Sequence, residues 1–200
     1  AKALVIACNT ATAAAVEAIR LAVHIPIVAV EPAVKPAASL TRSGQVAVLA
    51  TTRTVESPRF QRLVAQHAGE VKVHAVACPG LAQAIEMHGP ACPEVDALLD
   101  RFVLPLGGLG VDVAVLGCTH YPWVAAGIAA RLPDGAQVLD TGEAVARQLE
   151  RLLQANALQG GGAGQVNVAT SGEPQVVRAT VDRLWGRVAS EHLPVMHWEP

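Results

Sequence analysis

Three observations predict an α/β fold of two pseudo-symmetric lobes with mainly parallel sheets and a cleft between them. Short apolar runs of strand length alternate with longer segments of helical period, the signature of parallel strands covered by helices on both faces. A block of apolar strand, small residue, cysteine, polar pair and helix occurs twice, at Leu4-Val5-Ile6-Ala7-Cys8-Asn9-Thr10 and at Ala114-Val115-Leu116-Gly117-Cys118-Thr119-His120. Hydrophobic residues make up 52% of the 200-residue chain and charged ones 16%, which supplies a large core built of Ala, Val and Leu.

Strands are expected over residues 3–7, 27–30, 45–50, 71–76, 112–116, 137–139, 165–169 and 194–196. Each is a short apolar run bounded by turn residues or by a helical segment. The first leads into a helix over 10–23, where Ala14, Ile19, Ala22 and Val23 fall on one face. Ile25-Pro26 and Glu31-Pro32 break that opening unit. Helices are expected again over 95–104, over 141–153 with Val145, Leu149, Leu152 and Leu153 in phase, and over 174–185. Gly160-Gly161-Gly162 reads as a solvated connector, and no glycine stretch has phosphate-loop spacing ahead of a helix. The middle lobe is expected to span 33–133. The outer lobe is expected to combine 1–32 with 134–200 and to carry exposed sheet edges or unfilled apolar surface.

Fifteen Lys and Arg against 17 Asp and Glu give a net charge of -2, so no field gathers phosphates or anionic lipid. Nucleic acid and membrane are therefore not expected partners. Aromatics at 3% provide no stacking platform for bases. Five apolar residues before Cys8 fall short of the roughly 7–15 of a signal peptide, and no run approaches the roughly 18 that cross a bilayer. Cys8, Cys78, Cys92 and Cys118 are widely spread without CxxC pairing and read as reduced thiols of a cytoplasmic protein.

Ligands of such sheets bind beyond the carboxyl ends of the strands, where Cys8 and Cys118 are both expected. A helix N-terminus stabilises a thiolate and binds anions. Asn9 and Thr10 add an amide and a hydroxyl beside Cys8, and Thr119 and His120 add a hydroxyl and an acid–base group beside Cys118. A free cysteine is more often plain core, and Cys78 and Cys92, each between Ala and Pro, fit that description. Metal binding by Cys8, Cys118 and His120 is a minor alternative, since their spacing matches no zinc pattern, and with no cofactor motif in the sequence neither metal nor cofactor is expected. Two thiols on opposite sides of a small anionic carbon acid could remove a proton from one face and return one to the other.

Four segments resemble the glutamate racemases of the aspartate/glutamate racemase superfamily: Ala7-Cys8-Asn9-Thr10-Ala11, Ala50-Thr51-Thr52-Arg53-Thr54-Val55, Cys78-Pro79 followed by Glu86, and Leu116-Gly117-Cys118-Thr119-His120-Tyr121-Pro122. Val30-Glu31-Pro32, Asp140-Thr141-Gly142 and Thr170-Ser171-Gly172 are further landmarks of the resemblance. It implies interconversion of L- and D-glutamate without PLP or metal, supplying D-glutamate for peptidoglycan and so for the cell wall and cell shape. It implies that Cys118 acts on L-glutamate and Cys8 on the D-glutamate face, with His120 assisting Cys118 and Glu86 nearby. Asn9, Thr10, Thr51, Thr54 and Thr119 would bind the carboxylates and the amino group. The family's Asp-Ser-Gly and Pro-Tyr-Gly strings do not occur, so the chain is expected to lack roughly the first quarter to third of the family's length. Arg53 stands where the family more often has a small residue.

Blander readings stay open beside these. Thr51 and Thr54 could be helix caps, Glu86 a solvated carboxylate, and His120 a core histidine. A racemase of aspartate or hydantoin, a maleate isomerase, or a catalytically inactive binding protein are the competing functions. The expected partner is the small-molecule substrate glutamate, with a homodimer left open. His24, His67, His74, His88, His192 and His197 form no ligand spacing and read as surface or edge residues. Trp123, Trp185 and Trp198 are expected to fill core or domain contacts.

Overall fold

The computed structural model describes residues 1–161, 164–186 and 193–198. Strands β1 (Leu4–Ile6) and β2 (Ile27–Ala29) pair in parallel, joined by helix α1 (Asn9–Ala22). Then follow α2 (Val34–Leu40), β3 (Gln45–Ala50), α3 (Thr52–Val55), α4 (Pro58–His67), β4 (Lys72–Ala77), α5 (Leu81–His88), α6 (Pro93–Gly107) and β5 (Val113–Gly117). A short 3-10 turn at Tyr121–Val124 leads to α7 (Ala125–Ala129), β6 (Gln137–Leu139) and α8 (Gly142–Ala155). The chain continues through β7 (Val168–Thr170), α9 (Pro174–Trp185) and β8 (Val195–His197).

The central sheet is parallel and runs β4-β3-β5-β6. Its two inner strands are apolar over 46–50 and 113–117 because helices cover both faces. Period-2 alternation divides their side chains between two cores. Val46, Val48, Val113 and Val115 join Val34, Ala37 and Phe60 on one face, packing α2 and α4 there. Ala47, Leu49, Ala114 and Leu116 join Leu81, Ile85, Leu99, Val103, Tyr121 and Ile128 on the other, packing α5, α6 and α7.

Local chemistry sets the helix ends. Ser57 accepts from the Phe60 N–H at 3.1 Å ahead of Pro58, so α4 starts with a capped turn. Gly89, at φ +85°, stops α5 in a conformation that L side chains rarely adopt. Asp112 ties the loop before β3 to the start of β5, accepting from the Thr41 hydroxyl at 2.5 Å and from the Arg42 and Ser43 amides at 2.7 and 3.0 Å. Desolvation opposes its ionisation, but these donors outweigh that and hold its carboxyl down to about 2.

Packing sets the place of the C-terminal elements. β6 pairs with β5, so the central sheet continues past residue 134. Val138 and Leu139 are partly buried against the two cores, and that packing decides the strand's place. β7 and β8 form a two-stranded parallel sheet of their own. Trp185 and Trp198 are 60% and 58% exposed and fill no core, although Trp185 meets Trp123 edge to face, and Val166, Val176 and Met196 are also exposed around the same C-terminal elements. His192 and Gly162 lie outside the described residues. Among the described residues, no helix is long and apolar enough to cross a membrane.

Candidate active site

The first thiol sits at the junction of β1 and α1. Cys8 is the N-cap residue of α1, in extended conformation at φ -128° and ψ 124°, and it is exposed. Its carbonyl already accepts the first helical bond, from Thr12 at 2.8 Å, while its side chain caps nothing. The sulfur is therefore free at the positive end of a 14-residue helix.

The second thiol has a different setting. Cys118 follows β5 directly and is buried at 8% exposure. The expected helix start behind it is only the Tyr121–Val124 3-10 turn, so the helix-terminus argument does not transfer from Cys8. An adjacent histidine does the electrostatic work instead. His120 Nδ1 lies 3.8 Å from Cys118 Sγ and 3.3 Å from the Thr119 hydroxyl, and Nε2 lies 2.6 Å from Glu86 Oε1 on α5. The hydrogen bond to Cys118, reinforced by Glu86 and opposed by burial, raises His120 to about 9. A carboxylate, an imidazole and a thiol thus form a chain along which a proton can pass.

Gly117 fixes where that chain ends. A Cβ there would meet the Leu49 carbonyl oxygen at 2.8 Å and Ala50 Cβ at 2.9 Å, so only glycine lets β5 approach β3 this closely before Cys118.

Three hydroxyls form a second cluster. Thr10 Oγ1 lies 2.8 Å from Thr51 Oγ1 and 3.1 Å from Thr54 Oγ1, and the latter two are 3.0 Å apart. Thr51 also caps α3 by accepting from the Thr54 N–H at 3.3 Å, so its capping and clustering roles coexist. The cluster joins the β1-β2 unit to the central sheet. Arg53 is exposed and shares an open hollow with Thr10, Thr51 and Cys78. Cys78 itself is buried, and burial, only partly offset by Tyr121 and the Ala50 amide, pushes its thiol up to about 12. Cys92 is half-buried against the core as the N-cap of α6.

A cleft of about 280 Å³ opens over Cys118 and Thr119, walled by Asn9, Trp123, Asp140 and Val145. Asn9 is buried, and its Oδ1 has no hydrogen-bond partner among the described residues. A buried orphan acceptor beside a cleft is suited to a ligand N–H. The structure therefore brings Asn9, Cys118 and Thr119 to one cleft, with His120 and Glu86 behind Cys118. Cys8 does not line that cleft, although its neighbours Ala7 and Asn9 do. Asp140, Thr141 and Gly142 are wall residues absent from the expected site. Asp140 Oδ1 accepts from the Thr141 and Gly142 amides at 2.6 and 3.2 Å, a turn that starts α8. Asp-Thr-Gly after a strand was their only sequence signal. No group of three or more His, Cys, Asp or Glu side chains among the described residues is placed to hold a metal.

Parallel strands β1 and β5 each lead into a cysteine, Cys8 and Cys118, the second with a histidine–carboxylate pair behind it, and together they define an α/β protein with two thiols at the carboxyl ends of its strands. The family model for Asp/Glu/hydantoin racemases matches residues 1–149. A glutamate racemase from Pseudomonas putida KT2440 is 49% identical over 187 residues, covering 92% of this chain and 71% of that protein. One from Pseudomonas aeruginosa PAO1 is 48% identical over 188 residues, covering 93% and 71%. Among solved structures, a glutamate racemase isoform from Bacillus anthracis superposes with a TM-score of 0.83 at 28% identity, covering 99% of this chain and 74% of that one. The Escherichia coli glutamate racemase in complex with L-glutamate and an activator gives 0.82 at 28% identity, covering 98% and 73%. The chain belongs to the Asp/Glu/hydantoin racemase family.

Proposed function

We propose that the chain is a glutamate racemase, interconverting L- and D-glutamate by proton transfer between two thiols and supplying D-glutamate for the cell wall. The observation that carries this reading is Cys118 on the cleft wall with His120 and Glu86 in line behind it, in a chain nearly half identical to glutamate racemases. Cys118, as thiolate, takes the α-proton of L-glutamate. His120 stabilises the thiolate and passes charge to Glu86. Cys8 returns a proton to the opposite face, which inverts the centre, and the reverse order serves D-glutamate.

Binding follows from the remaining polar groups. The orphan Oδ1 of Asn9 accepts from the substrate ammonium, and the hydroxyls of Thr10, Thr51, Thr54 and Thr119 donate to the carboxylates. With Cys8 on the β1-β2 unit and Cys118 on the central sheet, the reading divides the molecule into two lobes that close on the substrate. An enzyme feeding peptidoglycan precursors works in the cytoplasm.

Incubation with L-glutamate in D₂O tests the reading: D-glutamate should form with deuterium at the α-carbon. Cys8→Ala and Cys118→Ala should each lose about 10²- to 10⁴-fold in turnover. Retained turnover in either variant would sink the two-thiol mechanism. Faster turnover of aspartate, hydantoin or maleate would overturn the substrate, and no exchange at all would favour a binding protein.

A further inference from the structure

The Cys118–His120–Glu86 chain ends on a residue that the active site itself does not hold. Glu86 sits in the last turn of α5, where the carbonyls have no partner within the helix. Arg183, near the C-terminal end of α9, donates from Nη1 to the Glu86 backbone carbonyl. Its stem lies across the end of the same turn, so that a Cβ on Gly89 would meet Arg183 Cγ and Cδ at 3.4 Å. A guanidinium at a helix C-terminus both satisfies a free carbonyl and complements the helix dipole.

A largely apolar cavity of about 560 Å³ lies beside the pair, lined by Glu86, His120, Val177, Val181, Leu184 and Trp185. Leu184 packs against the core that holds α5, and Arg183 adds a polar tie to the helix end itself. A second contact anchors the same end of α9: Trp185 meets Trp123 edge to face, with ring centroids 5.0 Å apart and planes at 88°. Trp123 in turn walls the cleft over Cys118.

We propose that Arg183 is a positioning residue: by holding the last turn of α5 it sets Glu86 against His120, and so governs proton transfer on the Cys118 side. The kinetic part of this inference rests on the racemase reading; the state of the His120 ring does not.

Three substitutions in the whole chain test it: Arg183→Met, which keeps the stem over Gly89 but removes the donor, Arg183→Lys, and Glu86→Gln. In Arg183→Met, kcat with L-glutamate should fall about 10- to 100-fold with KM essentially unchanged. Arg183→Lys should recover most of the loss. Introduced into Glu86→Gln, Arg183→Met should add nothing, because both act through one hydrogen bond. Additive losses, or a loss confined to KM, would overturn the proposal. NMR of the His120 ring gives the second readout: Arg183→Met should move its Nε2 resonance toward that of Glu86→Gln. An unchanged resonance would refute the positioning role even in a chain that racemises nothing, whereas absent racemisation with a moved resonance would count only against the function.

Discussion

His120 is where the site's electrostatics can be read from one side chain. The bond to Cys118 raises it most, burial works against the charged form, and Glu86 raises it further, to about 9 from an ordinary 6.5. A raised basic group contributes stability that is complete below its unfolded value near 6.5 and is lost as pH rises through about 9. Glu86→Gln removes the second raising partner and leaves the first. The midpoint of His120 in an NMR titration should therefore drop below about 9 yet stay above 6.5. A midpoint unmoved by the substitution would show that the 2.6 Å contact does not persist in solution. Of the two remaining thiols, Cys78 is buried and Cys92 stands at the N-cap position of α6 without a side-chain cap bond.

Strand β5 shows how an element delivers a residue. Its five positions are buried, and Gly117 lets its end lie against Leu49 and Ala50 with contacts below 3 Å to any added Cβ. The clash is with a backbone carbonyl, which cannot swing away. Gly117→Ala should cost about 1–3 kcal/mol by overpacking, seen as a lower Tm, and should lower kcat by displacing Cys118. Unchanged stability would mean that β5 and β3 are looser than drawn. Such strands were legible in the sequence because β3 and β5 are unbroken apolar runs, and α1 and α9 because their apolar residues recur at helical spacing. Helices α2 and α5 are only seven and eight residues long, too short for a period to stand out, whereas α4 carries the spacing in Phe60, Leu63 and Val64 without being among the expected helices. The pairing of β6 with β5 is not legible in the sequence, because three residues carry no mark of their neighbour. In the site, the Cys-Asn-Thr and Cys-Thr-His strings flagged both thiols. The hydroxyl cluster spans up to 44 residues and the His120–Glu86 contact 34, separations that only the folded topology closes.

At the scale of the molecule, polar contacts tie the β1-β2 unit to the central sheet. Besides the three threonines, Arg59 on α4 donates to Glu17 of α1 at 2.7 Å and lies 2.7 Å from Glu31 beyond β2. The Arg59 Nε–H is not aimed at the Glu31 carboxylate, so that second contact is Coulombic rather than a hydrogen bond. Polar seams of this kind permit one unit to move against the other. The proposed substrate would be held from both sides, by Asn9 and Thr10 on one and Cys118 and Thr119 on the other, so its binding would draw the two units together. Exposed ion pairs contribute about 0.2–1 kcal/mol each. Glu17 is 71% exposed and Glu31 37%, but Arg59 only 21%, so about 1 kcal/mol for the pair of contacts is a fair scale. That corresponds to about a fivefold change in an equilibrium constant. Arg59→Met should accordingly raise KM for glutamate about fivefold with kcat and Tm nearly unchanged. Raising ionic strength to 0.5 M should bring the parent toward the variant, since screening removes most of what the ion pairs supply, while leaving the variant itself almost insensitive. Equal KM values at low salt would show that the seam is held by the threonine hydroxyls and the packing around them, with Arg59 a bystander.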